Sequence, residues 1–103
     1  MIDRIAVIIV THNSQAFLHH CLHALEQQTC PPADIILVDS GSTDTEYLQR
    51  YSKKDGVTVF QEENIGFSRA NNLGYQFLAQ NVDYILFLNP DAFPAANSFK
   101  QAL

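Results

Sequence analysis

Six consecutive apolar residues, Ile5-Ala6-Val7-Ile8-Ile9-Val10, run without polar alternation. A strand reads this way when both of its faces are covered in a parallel sheet. Three further runs of the same kind follow, at Asp34 to Val38, Val57 to Phe60 and Asp83 to Leu88, and the segments between them carry helical period. Gln15 to Gln27 sets Leu18, Cys21, Leu22 and Leu25 on one stripe, and Gly66 to Gln80 does the same with Ala70, Leu73, Phe77 and Leu78. The middle connection, Thr43 to Lys53, opens with Thr43-Asp44-Thr45-Glu46, a capping-box pattern that predicts a helix start just after the second strand. Strand, helix, strand, three times over, predicts an α/β domain whose parallel strands are joined by right-handed crossovers.

At 103 residues the chain holds one domain, and 47% hydrophobic with 17% charged positions fits a folded domain and excludes disorder. Six Lys plus Arg against eleven Asp plus Glu give a net charge of −5. A nucleic-acid duplex or an anionic membrane needs a positive surface, so neither is the expected partner, whereas a divalent cation is compatible. No apolar run approaches the roughly 20 residues that cross a bilayer. The N-terminus has neither a basic region nor a small-residue cleavage site, which makes the cytoplasm the expected compartment, with peripheral attachment at the inner face of the membrane open to the full-length protein. Cys21 and Cys30 form no CxxC pair and read as reduced structural thiols; His19 and His23, one helical turn apart, have no third ligand for zinc.

After the fourth run, Pro90 and Pro94 break the pattern, and Ala95 to Leu103 starts another helix with no strand after it. A four-stranded parallel sheet that stops there leaves an edge which further strands would cover. The 103 residues therefore read as part of a longer protein, and the bare edge favours self-association into a homo-oligomer.

Ligands of open α/β sheets bind outside the carboxyl ends of the strands. The polar residues cluster there. Strand one runs into Thr11-His12-Asn13-Ser14, strand two into Asp39-Ser40-Gly41-Ser42-Thr43-Asp44, strand three into Glu62-Glu63-Asn64-Ile65-Gly66 and strand four into Asn89-Pro90-Asp91. Read from chemistry alone, Asn64 and Gly66 precede a helix start, where free N–H groups and the dipole favour an anion. Asp44, in the first turn of an expected helix, suits the helix dipole equally well as it suits a ligand.

These residues resemble the family 2 glycosyltransferases, whose nucleotide-sugar domain has the GT-A fold. Ile8-Ile9-Val10-Thr11-His12-Asn13 is similar to the family's first strand and loop, and Ile36-Leu37-Val38-Asp39-Ser40-Gly41-Ser42-Thr43-Asp44 to its second-strand motif. Asn64-Ile65-Gly66-Phe67-Ser68-Arg69-Ala70-Asn71-Asn72-Leu73-Gly74 resembles the segment that opens its third helix, and Leu86-Phe87-Leu88-Asn89-Pro90-Asp91-Ala92 sits where the family carries a metal-binding Asp-x-Asp. Four motifs in order are a strong signal.

The resemblance implies the N-terminal half of a GT-A domain, a Rossmann-like three-layer αβα arrangement with strand order 3-2-1-4. It implies a UDP- or dTDP-sugar donor, an inverting displacement, and a glycan or lipid-linked acceptor in cell-envelope polysaccharide synthesis. Asp39 would read the imino N–H of the base, with Thr11, Asn13 and Asp44 in the nucleoside pocket. Asn64, Gly66 and Arg69 would face the diphosphate or sugar; Asn89 would border it, and Asp91 would ligate Mg2+ or Mn2+. Asn89 departs from the commoner carboxylate and points to a rhamnosyltransferase-like subgroup. The general base is expected beyond Leu103, so the isolated piece is expected to bind donor without turnover. Two other readings remain. A response-regulator or flavodoxin-like module would put an acidic pair or a Gly-rich loop after strand one, where neither stands, and a family member that binds nucleotide without catalysis stays open.

Overall fold

The computed structural model describes residues 4–78 and 82–102. Strands β1 (Ile5–Thr11), β2 (Asp34–Ser40), β3 (Val57–Glu62) and β4 (Tyr84–Leu88) form one sheet in the order β3-β2-β1-β4, every pair parallel. Helices α1 (Leu18–Glu26), α2 (Gln49–Ser52), α3 (Phe67–Leu78) and α4 (Ser98–Ala102) connect and cover it. This is the expected topology. Successive strand residues point to opposite faces, so the unalternated runs feed two cores. Ile5, Val7, Ile9, Ile35 and Leu37 pack with Leu18, Leu22 and Leu25 of α1, Leu48, Tyr51 and Phe99; Ala6, Ile8, Ile36 and Val38 pack with Ala70 and Leu78 of α3. No helix among the described residues is long and apolar enough to cross a membrane.

The third helix meets the sheet along Ala70, Gly74 and Leu78, a straight i, i+4 row, and this displaces Phe77 from the expected stripe. Phe77 is 57% exposed and rests edge-on against Phe60 with ring centroids 5.2 Å apart. Gly74 sets the close approach. A Cβ there would lie 2.9 Å from Cγ2 of the fully buried Ile8. Gly74→Ala gains roughly 1 kcal/mol of helix propensity but incurs about 1–3 kcal/mol of overpacking. A net loss of about 1 kcal/mol is expected, read as a lower urea midpoint at unchanged slope.

The capping box does not form. The Glu46 N–H that Thr43 was expected to satisfy is taken by Asp44 Oδ1 at 2.9 Å, while the Thr43 N–H is drawn away to Asn13 Oδ1 at 2.8 Å. The segment begins as a 3-10 turn over Glu46–Leu48, and α2 ends before Gly56, whose φ of 79° turns the chain into β3. Helix α1 starts at Leu18, later than its pattern, because the Ser14 carbonyl accepts from both Phe17 N (3.1 Å) and Leu18 N (3.0 Å). Gln80 and Leu103, the expected ends of two helices, lie outside the described residues.

Candidate donor site at the strand ends

The β1–β2 ladder places Thr11 directly beside Asp39, and Thr11 Oγ1 donates to Asp39 Oδ1 at 2.7 Å. Asp39 is only 1% exposed. A carboxylate this deep has to be hydrogen-bonded. It also accepts from Ser42 N (3.0 Å) and Ser42 Oγ (2.5 Å), and from the Tyr47 hydroxyl at 3.3 Å. The Tyr47 oxygen in turn accepts from Ser14 N at 3.2 Å, so one phenol ties the β1 loop to the β2 loop across the buried acid.

Asn13 knits the same two loops from the outside. Its backbone N–H donates to Ser42 Oγ at 2.7 Å and its Oδ1 accepts from Thr43 N at 2.8 Å, with φ at 50°, a left-handed conformation that Asn tolerates. His12 Nδ1 lies 2.6 Å from the Ser40 carbonyl, which requires the proton on Nδ1. Gly41 has φ 69°, and a Cβ there would come within 2.9 Å of Asn64 backbone atoms. Only glycine lets the β2 and β3 loops touch.

The third helix start differs from the simple anion cradle expected of it. Ser40 Oγ accepts from Ile65 N (3.1 Å) and Gly66 N (3.2 Å) and donates to Asn64 Oδ1 at 3.3 Å. Asn64 and Gly66 therefore shape the turn, and the amides left to face an anion are those of the first turn of α3 itself, Phe67 and Ser68. Gly66, at φ 85°, makes that turn. Arg69 stands exposed in the first turn of α3, and Asp44 is exposed with its Oδ1 engaged by Glu46 N. The tight cluster thus gathers Thr11, Asn13 and Asp39, with Asn64 and Gly66 next to it through Ser40.

Asn89 and Asp91 are exposed just past β4. The Asn89 carbonyl accepts from Ala92 N at 3.0 Å and lies 3.9 Å from the Cys21 thiol, which donates to it. Among the described residues no group of three or more His, Cys, Asp and Glu side chains converges as a metal cage. One exposed carboxylate, Asp91, would suit a hard divalent cation that also takes phosphate oxygens and water as ligands. Burial first, and the Asp91 carboxylate second, push the Cys21 thiol from 9.0 up to about 11. The folded protein holds that proton more tightly than the unfolded chain, so the contribution is complete below pH about 9 and is lost as pH rises toward 11. On the order of 2–3 kcal/mol of stability is expected to vanish over that range, seen as a urea-midpoint slope that Cys21→Ala lacks.

Ser40, Ser42 and Tyr47 are site residues to which the sequence assigned no role. Ser42 lay inside the quoted motif without a role. Nothing marked Tyr47, because its hydroxyl reaches back to Asp39 only through the irregular loop after β2 and the 3-10 turn at Glu46–Leu48.

The model of glycosyl transferase family 2 matches residues 6–103. The chain belongs to this family. The family 2 chain is 33% identical over 92 residues to the glycosyltransferase GlyA of Streptococcus pneumoniae, covering 86% of itself and 13% of GlyA. It is 34% identical over 96 residues to the O-antigen chain rhamnosyltransferase RfbN of Salmonella typhimurium, covering 89% of itself and 29% of RfbN. Among solved structures, Staphylococcus aureus TarS 1–349 in complex with UDP-GlcNAc superposes with a TM-score of 0.80 at 26% identity, over 96% of this chain and 30% of that one. The chain spans less than a third of the length of each of these relatives. The fold is the Rossmann-like GT-A arrangement expected from the motifs.

Proposed function

We propose that the protein is an inverting, metal-assisted glycosyltransferase, and that these residues bind its UDP- or dTDP-sugar donor for transfer to a hydroxyl of a cell-envelope glycan. The observation that carries this is the placement of Asp39 and Asp91. Asp39 lies at the carboxyl end of β2 and Asp91 just past the carboxyl end of β4, the two strands that flank β1, so both acids stand at the one edge of the sheet where open α/β sheets bind ligands. RfbN, by its name, transfers rhamnose within an O-antigen, which supports an envelope glycan as acceptor, and the TarS complex holds UDP-GlcNAc, which supports a UDP-sugar donor.

Uracil and thymine share the imino N–H that a carboxylate accepts, and Asp39 reads either. The N–H takes the place of the Tyr47 hydroxyl, whose 3.3 Å bond is the longest of the four on Asp39. Thr11 and Asn13 hold the nucleoside side of the pocket, while the first turn of α3 with Arg69 meets the phosphates. Asp44 and Asn89 border the two ends. Asp91 is the residue that would hold Mg2+ or Mn2+, and a cation bound there supplies Lewis-acid stabilisation of the charge on the leaving diphosphate. In the displacement the acceptor oxygen forms a bond to the anomeric carbon as the carbon–phosphate oxygen bond breaks. The hydroxyl proton passes to a base that we do not assign to any residue of this chain.

Calorimetric titration with UDP and dTDP, each with and without Mn2+, tests the reading. Binding of at least one nucleotide that tightens by tenfold or more with Mn2+ is expected, because the protein alone offers the ion too few ligands. Mn2+ alone should give no heat of binding. A folded protein that binds neither nucleotide under any condition refutes the donor site.

A further inference from the structure

The loop that carries Asp91 hangs between two anchors, both supplied by the α1 segment. On one side the Cys21 thiol donates to the Asn89 carbonyl. On the other side stands Gln28, one residue past the helix C-cap and 5% exposed. Its Nε2 donates to the carbonyls of Ala95 (2.7 Å) and Pro94 (3.2 Å), and more weakly to Ala24 at 3.4 Å. Its Oε1 accepts the Phe99 N–H at 3.1 Å, satisfying an amide in the first turn of α4 that has no partner within the helix. The adjoining Thr29 N–H donates to the Ala96 carbonyl at 2.7 Å, and the Phe99 ring is buried in the core beneath.

A segment with two prolines and no regular structure from Asn89 to Asn97 has few ways to fix its own conformation. Cys21 lies on α1 and Gln28 follows just past its C-cap, so both anchors are fixed by the one helix. We infer that Gln28 is a positioning residue for the donor site, a clamp that holds the segment after Asp91 so that the carboxylate is presented to the cation at a fixed place. The inference rests on the metal role proposed for Asp91. The amide group suits the task because one side chain must donate to carbonyls on one side and accept an amide on the other, which neither Glu nor Leu can do.

The test uses Gln28→Glu, which is nearly isosteric and keeps the acceptor for Phe99 but opposes the Pro94 and Ala95 carbonyls, together with Gln28→Leu. Leu48→Ala serves as a control, since it weakens the same core without touching this loop. The readout is the factor by which Mn2+ tightens nucleotide binding. In Gln28→Glu that factor is expected to fall at least fivefold while metal-free nucleotide affinity holds; in Leu48→Ala it should stay as in the unaltered protein even though the melting temperature drops. A metal factor that survives in both Gln28 variants overturns the clamp. Should the unaltered protein show no metal factor, the role of Asp91 fails separately, and amide hydrogen exchange then decides. Faster exchange at Ala92, Phe93 and Ala95 in Gln28→Glu upholds the clamp, and unchanged exchange overturns it.

Discussion

Asp91→Ala in the full-length protein is expected to lower kcat/KM for sugar transfer by about 10³-fold or more. Stabilising charge on a leaving diphosphate is worth several kcal/mol, and each 1.36 kcal/mol is a factor of ten in rate. Asp91 is the one carboxylate on the loop after β4, and its neighbour Asn89 offers only a neutral amide in its place. Because Asp91 is exposed, its loss should leave thermal stability within about 0.5 kcal/mol of the unaltered protein, which separates a chemical effect from a folding one. The Mn2+-dependent part of nucleotide binding should vanish with the activity. Turnover within tenfold of the unaltered enzyme would sink the assignment.

The second large effect concerns Asp39, where two substitutions should part company. In Asp39→Ala the Ser42 N–H and the Thr11 and Tyr47 hydroxyls lose their shared acceptor in a site with almost no access to water. At about 1–3 kcal/mol for each stranded donor that stays dry, a destabilisation of about 3–5 kcal/mol is expected. Asp39→Asn should instead fold nearly as well. Its carbonyl can take the Ser42 N–H while its amide donates to hydroxyls that rotate to accept. It no longer offers a charged acceptor to the imino N–H, so UDP affinity should fall about 10- to 100-fold, the worth of a charge-assisted bond. An Asp39→Asn protein that binds UDP as tightly as the unaltered one would remove Asp39 from base recognition.

Much of this was legible before any coordinates. Burial of β1 and β2 on two faces forces long apolar runs, and β3 and β4, only partly buried at the sheet edges, carry shorter ones; together these runs marked every strand to within about two residues. The helical stripe of α1 was legible because all four of its expected contacts, Leu18, Cys21, Leu22 and Leu25, are buried. The stripe of α3 was misread at Phe77, since a hydrophobic pattern cannot show that Gly74, a residue with no side chain, is where the helix lies closest to the sheet. The capping box failed for a related reason. Its Thr43 meets the Asn13 side chain from another strand end, and this tertiary partner outcompetes the local one.

The sequence by itself determined the α/β class, the family, and the edge of the sheet where the polar loops gather. Those follow from local periodicity and from motifs whose residues are near one another in the chain. Only the tertiary structure decided how the acids are held. Tyr47 bonding to Asp39, Ser40 closing the start of α3, and Gln28 reaching the segment after Asp91 join residues up to 71 positions apart. Such contacts leave no periodic trace. Each is one hydrogen-bonding side chain meeting whatever backbone the packed sheet brings to it, and only the folded sheet determines which backbone that is.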